Sequence, residues 1–163
     1  MAYTDSPIVL GPELATVEVE TAAATIKDYE LPFDYQIEEF GVVIVEDFAA
    51  HATDPVIKLQ RLDKAGGTVT DIISLTLGGS NTNLKKGDGV KPGQTVITAD
   101  TDLDNGQIVL CKRSALPAQV KTDTILRIAV TTAAGEAGGA IVPFVFIRPS
   151  LDPRSANVWT DVS

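Results

Sequence analysis

From Ala140 to Ile147 the chain reads AIVPFVFI, apolar at every position. A run this short, apolar on both faces, is the pattern of a strand covered on each side. The run is therefore a strand, and its eight residues fall far short of the roughly 18 that a membrane helix needs. Side chains alternate along a strand, so Ile141, Val145 and Ile147 share one face and Val142, Phe144 and Phe146 the other. One face can line the core of a sandwich. The other needs cover of its own, from a second layer, another stretch of the chain or another subunit. Because Pro143 cannot donate to a ladder, the strand is expected at a sheet edge or with a bulge there.

The residues before this run read as a partner strand. Leu126, Ile128 and Val130 alternate with Arg127, Ala129 and Thr131, and a Gly-rich loop joins the two segments as a hairpin. Upstream, Val17 and Val19 alternate with Glu18 and Glu20, and Phe33, Tyr35 and Ile37 share a face. Gly41 breaks or bulges that run, and Val42 to Val45 is apolar on both faces. Val56 to Leu62 and Val69 to Leu77 are further strands, turned at Ala65-Gly66-Gly67. Residues 94–103 and 107–113 form a hairpin around Asn105-Gly106, a type I′ signal. Ala22-Ala23-Ala24 offers a helical turn, but the β-branched Thr21, Thr25 and Ile26 oppose it. Eight or nine short strands with Gly or Pro turns and no amphipathic helix describe an all-β chain, a β-sandwich or jelly-roll-like domain. The expected organisation is an extended N-terminal arm over residues 1–13, the sandwich over 14–149 and a polar C-terminal tail over 150–163, which holds the only tryptophan, Trp159.

At 163 residues the chain fits one domain with a core of its own. Its single cysteine, Cys111, excludes a disulfide framework. The start, MAYTDSPIVLGPE, lacks the basic n-region and apolar core of a secretory signal, so the expected setting is a reducing compartment or a particle assembled in one. The net charge of −9 is unevenly placed: residues 1–50 hold eleven acids and one base, Lys27. Such a charge repels phosphate backbones, which argues against direct nucleic-acid binding. An acidic N-terminal third can settle on a basic protein surface or form a solvated face.

Catalytic and metal chemistry find little support. Asp100, Asp102 and Asp104 have the alternate spacing that opens a calcium loop. The sixth position from Asp100 is Asn105 where such a loop wants Gly, and the twelfth is Cys111 where it wants Glu. His51, the only histidine, has small neighbours and no G-x-S-x-G beside it. One His and one Cys cannot make the usual zinc sets within one chain. Cys111 stands beside Lys112 and Arg113, but alternating strand neighbours need not approach its sulfur, so it reads as an inert strand cysteine. The glycines of residues 78–93 lack the phosphate-loop pattern. Adjacent acids such as Glu38/Glu39 and Glu46/Asp47 do not face each other across a cleft, as glycoside hydrolysis requires. The chain is read as a non-enzyme without cofactor or metal.

Asp54-Pro55-Val56-Ile57-Lys58-Leu59 and the loop Ala133 to Gly139, with Phe40-Gly41-Val42-Val43-Ile44 and Ile141-Val142-Pro143-Phe144-Val145, resemble the head-decoration (cement) proteins of tailed bacteriophages. The likeness spans residues 31–149 and consists of strand order and turn composition. It implies a virion structural protein that assembles in the host cytoplasm, as a homo-oligomer and typically a trimer. Such a protein binds the outer capsid surface over junctions between major capsid subunits, with no membrane partner, and an N-terminal arm that helps to grip the shell. The contact residues expected from the sequence are Val142, Phe144 and Phe146 on the second strand face and Ile8, Val9 and Leu10 in the arm. The alternative is a β-rich tail or fibre module that binds a receptor or glycan through residues 78–93. That loop lacks the aromatic faces sugar sites use.

Overall fold

A computed structural model describes residues 8–11, 17–19, 23–48, 53–78, 103–111, 118–134 and 139–150. Among them are ten strands and no helix, so none is long and apolar enough to cross a membrane. The strands are β1 (Ile8–Leu10), β2 (Val17–Glu18), β3 (Ala24–Tyr29), β4 (Tyr35–Ile44), β5 (Val56–Asp63), β6 (Val69–Thr76), β7 (Ile108–Leu110), β8 (Ala118–Val120), β9 (Thr124–Thr132) and β10 (Ala140–Pro149). Sheet A runs β1-β10-β4-β7, with β2 also on β10 and β8 also on β4; sheet B runs β3-β9-β5-β6. Every pairing is antiparallel.

Leaving out the short β2 and β8, the strands pair from the outside of the chain inward. β1 pairs with β10, β3 with β9, β4 with β7 and β5 with β6. This is one long antiparallel ribbon. It is wrapped into two layers where β10 meets β4 and β9 meets β5. That wrapping is the jelly roll, a β-sandwich built from two Greek keys.

Alternation decides what enters the core. From sheet A come Tyr35, Ile37, Phe40, Val42 and Ile44 of β4 and Ile141, Val145 and Ile147 of β10. They meet Ile57, Leu59, Ile73, Leu75, Leu126, Ile128 and Val130 of sheet B, and all of these are buried. The inward positions of β4 switch from odd to even numbers between Ile37 and Phe40. At that point the β10 register skips Glu38, passing from Phe146↔Glu39 to Ile147↔Ile37. The extra residue of this β-bulge keeps the core phase on both sides of it. The bulge is therefore at Glu38–Glu39 and not at Gly41, which sits in the ladder opposite Phe144 and Leu110.

Several expectations are corrected. β9 and β10 are strands but not a hairpin: they lie in opposite sheets, and the connection between them crosses the sandwich. β10 is not at an edge, since β4 flanks it on one side and β1 and β2 on the other. No bulge falls at Pro143. The Val45 N–H donates to the Ala140 carbonyl at 2.9 Å, which sets the ladder so that residue 143 turns its nitrogen away from β4. On that side β1 pairs with residues 145–147 and β2 with 140–141, leaving Pro143 in the gap between them, against Gly11. A proline is tolerated there because no ladder partner waits for its N–H. At Asp104–Gln107 the turn is closed by Gln107 N–H to Asp104 C=O at 3.2 Å. Only Gly106 has a positive φ, +87°, so the turn is not the type I′ expected, which needs Asn105 positive as well. Ala24 to Tyr29 forms a strand and not a helical turn. Residues 8–10 of the expected arm are extended, but they are docked as β1 in the sandwich's own sheet.

Candidate functional site: the outer face of sheet A

The two sheets turn different chemistry outward. On sheet B, Lys58 reaches Asp71 at 2.5 Å and Gln60 reaches the other carboxylate oxygen at 2.7 Å. Arg127 forks onto Asp28 with two bonds of 2.7 Å. Both carboxylates are held below their ordinary value, Asp28 mainly by the Arg127 hydrogen bonds and Asp71 mainly by the one from Lys58. This is the solvated outer face usual for an antiparallel sheet.

Sheet A breaks that rule. Register places three cross-strand rows on its outer face: Val9, Phe146 and Glu39; Phe144, Gly41 and Leu110; Val142, Val43 and Ile108. With Val45 these side chains line an open groove of about 550 Å³, in which Glu39 is the one residue that is not apolar. The rings of Phe144 and Phe146 meet edge to face, 5.6 Å between centroids at 87°, a favoured aromatic geometry. Gly41 permits the middle row. A Cβ there would lie 2.8 Å from Phe144 Cζ and 2.6 Å from Leu110 Cδ2, so both side chains lean across the bare backbone. At one end the apolar surface stops at Arg148, which forks onto the bulge residue Glu38 at 2.9 and 3.2 Å. An apolar centre with a charged rim is the plan of a protein contact surface.

Of the residues singled out from sequence, Val142, Phe144 and Phe146 lie together on this face, half-buried, and Val9 joins them beside Phe146. Leu10 turns inward against the core, and Ile8, 39% exposed, stands at the sheet's margin outside the groove. Val43, Val45, Ile108 and Leu110 were not singled out. Their signal was the two-sided apolar text of residues 42–45 and 108–110.

The remaining candidates separate. Cys111 directly follows β7 and is buried in the core, its sulfur 3.6 Å from the Ser74 carbonyl. Asp104 is exposed, while Asp100, Asp102 and His51 lie outside the described residues, as does the loop after Gly78. Glu46 and Asp47 are exposed, and the Asp47 carboxylate accepts the Asn105 N–H at 2.6 Å. The acids of the N-terminal third are partly spent on pairing: Asp28 with Arg127, Glu30 with Lys64, Glu38 with Arg148.

No protein-family model matches the chain, and no curated protein matches it. Among solved structures, the VP2 subviral particle of infectious bursal disease virus aligns over 93% of this chain at 9% identity with a TM-score of 0.25. The Gx strain of the same virus aligns over 94% at 10% identity with a TM-score of 0.24. The chain spans 43% of each of those proteins, and superpositions this loose do not establish a shared fold.

Proposed function

We propose that this chain is a non-enzymatic structural protein of a tailed-phage virion. It binds the outside of the capsid as a homo-oligomer, with a trimer the expected form, and stabilises contacts between major capsid subunits. The observation that carries the reading is the apolar outer face of sheet A, set against the charged outer face of sheet B. A sandwich with one such face is built to lose water from it on contact with protein. At ~25 cal/mol per Å², covering a few hundred Å² of apolar surface gives several kcal/mol, partly offset by the cost of association. The sequence resemblance to head-decoration proteins supports the same reading. A glycan site is disfavoured on this face, because apart from Glu39 its lining has no side chain that hydrogen-bonds a sugar hydroxyl.

The test is co-sedimentation with empty heads of the encoding phage, alongside the protein's own oligomeric state. Wild type is expected to assemble and to pellet with heads. Phe144→Asp is expected to do neither, at least tenfold weaker in each, while its circular dichroism and melting stay those of the folded chain. A Phe144→Asp protein that assembles and pellets like wild type removes this face from the contact. Wild type that assembles yet never pellets with heads removes the capsid.

A further inference from the structure

The groove is concave, and two identical concave faces laid together leave a hollow between them. What fits is a narrow apolar segment led by a large side chain. The chain supplies one. Residues 151–163 follow the last described residue and carry Leu151, Val158, Val162 and the only tryptophan, Trp159. Tryptophan is among the commonest anchors of protein contacts.

The direction of exit says whose groove is served. β10 runs from the groove toward Pro149, which pairs with Tyr35, and the Ser150 N–H to Asp34 C=O bond of 2.8 Å carries the ladder one step further. The described chain therefore ends at Ser150 pointing away from Phe144, which lies about 20 Å behind it at ~3.3 Å per residue. Trp159 comes nine residues after Ser150, a span of at most about 30 Å. Returning to its own groove means reversing at once and spending most of that length. Continuing outward reaches a neighbour without a reversal.

We infer that the outer face of sheet A receives the C-terminal segment of a second copy of this chain, with Trp159 seated in the groove. This rests on the reading of that face as a contact surface and names its partner. Passing each tail to the next copy is a head-to-tail contact, which closes into a ring when the rotation allows.

Because Trp159 is the sole tryptophan, its fluorescence reports the seat directly. In assembled wild type the emission is expected to be blue-shifted and shielded from iodide, and dilution to monomer is expected to expose it. Phe144→Asp, fifteen residues away in sequence, is expected to expose it too. Deletion of residues 151–163 and Trp159→Ala are both expected to leave a folded monomer by sedimentation velocity. Assembled wild type with Trp159 open to iodide overturns the inference. So does a shielded Trp159 in a protein that stays monomeric at every concentration, which puts the tail on its own groove. Loss of assembly in Phe144→Asp but not in the deletion overturns the tail and leaves the contact face standing; loss in neither overturns both.

Discussion

Among the described residues, Tyr35 holds the atom worst matched to its surroundings. Its side chain is buried in the core, packed edge to face on Phe33 at 6.4 Å, and burial pushes its phenol well above the ordinary value. Its Oη is buried with no hydrogen-bond partner among the described residues. An unpaired buried hydroxyl costs about 1–3 kcal/mol, and deleting it with the ring kept in place relieves that cost. Tyr35→Phe is therefore expected to leave stability unchanged or raise it by about 1 kcal/mol, roughly 2–4 °C in melting temperature for a chain of this size. Tyr35→Ala, which removes the ring, is expected to cost about 3–5 kcal/mol. A thermal melt of the two variants checks both. A clear loss in Tyr35→Phe would mean that the hydroxyl is bonded in solution.

At the scale of the strands, the charge ladder of sheet B makes stability depend on pH in a defined sense. Asp28 and Asp71 have folded values below the ordinary 3.8. Their contribution is thus complete above that pH and is lost as pH falls below it through the folded values. Both carboxylates are more than a third exposed, so screening holds each pair to about 1 kcal/mol at most. The melting temperature of wild type is expected to fall more steeply below pH 4 than that of Asp28→Asn/Asp71→Asn. Equal slopes in the two proteins would show that these pairs contribute nothing. The same strands show what the sequence could reveal. β5, β6, β9 and β10 alternate cleanly, and their inward residues and the apolar outer face of β10 follow from period two alone. β3 did not announce itself, because Ala24 to Tyr29 is largely exposed and is held by its ladder with β9 and by the Asp28–Arg127 fork. Nor could alternation tell which strands pair. The Gly-rich connection after β9 looks the same whether it turns back beside its own strand or crosses to the other sheet. In β4 a glycine is the usual mark of a bulge, so the sequence pointed to Gly41, whereas the extra residue lies at Glu38–Glu39, where no residue type announces it. Half of the groove was legible in β10; the other half needed the register that brings Val43 and Ile108 beside Val142.

For the whole molecule, the ribbon topology ties the two ends of the described chain together, since β1 is the partner of β10. An N-terminal arm that only grips a shell could be removed with little effect on the domain. A strand that closes the ribbon could not. Ile8, Val9 and Leu10 face Ile147, Phe146 and Val145 across the ladder, Leu10 packs on the core, and Gly11 continues beside Pro143 with no room for a Cβ: one built there would come within 2.3 Å of the Pro143 carbonyl oxygen. Removing residues 1–13 strips a ladder from β10, uncovers part of the core and bares backbone groups at residues 145–147. Burial of one leucine is worth about 1.5–3 kcal/mol, and Leu10 is only partly buried, so with its ladder bonds the total is about 2 kcal/mol. The melting temperature of the truncated protein is therefore expected to drop by roughly 4–8 °C while the transition stays cooperative. The deletion is also expected to weaken assembly through the groove, because it removes Val9, part of the groove wall and the ladder partner of Phe146. Calorimetry and sedimentation of the same preparation separate the two effects. An unchanged melt with weakened assembly would restore the free arm, and a lowered melt with assembly intact would keep β1 in the fold but outside the contact.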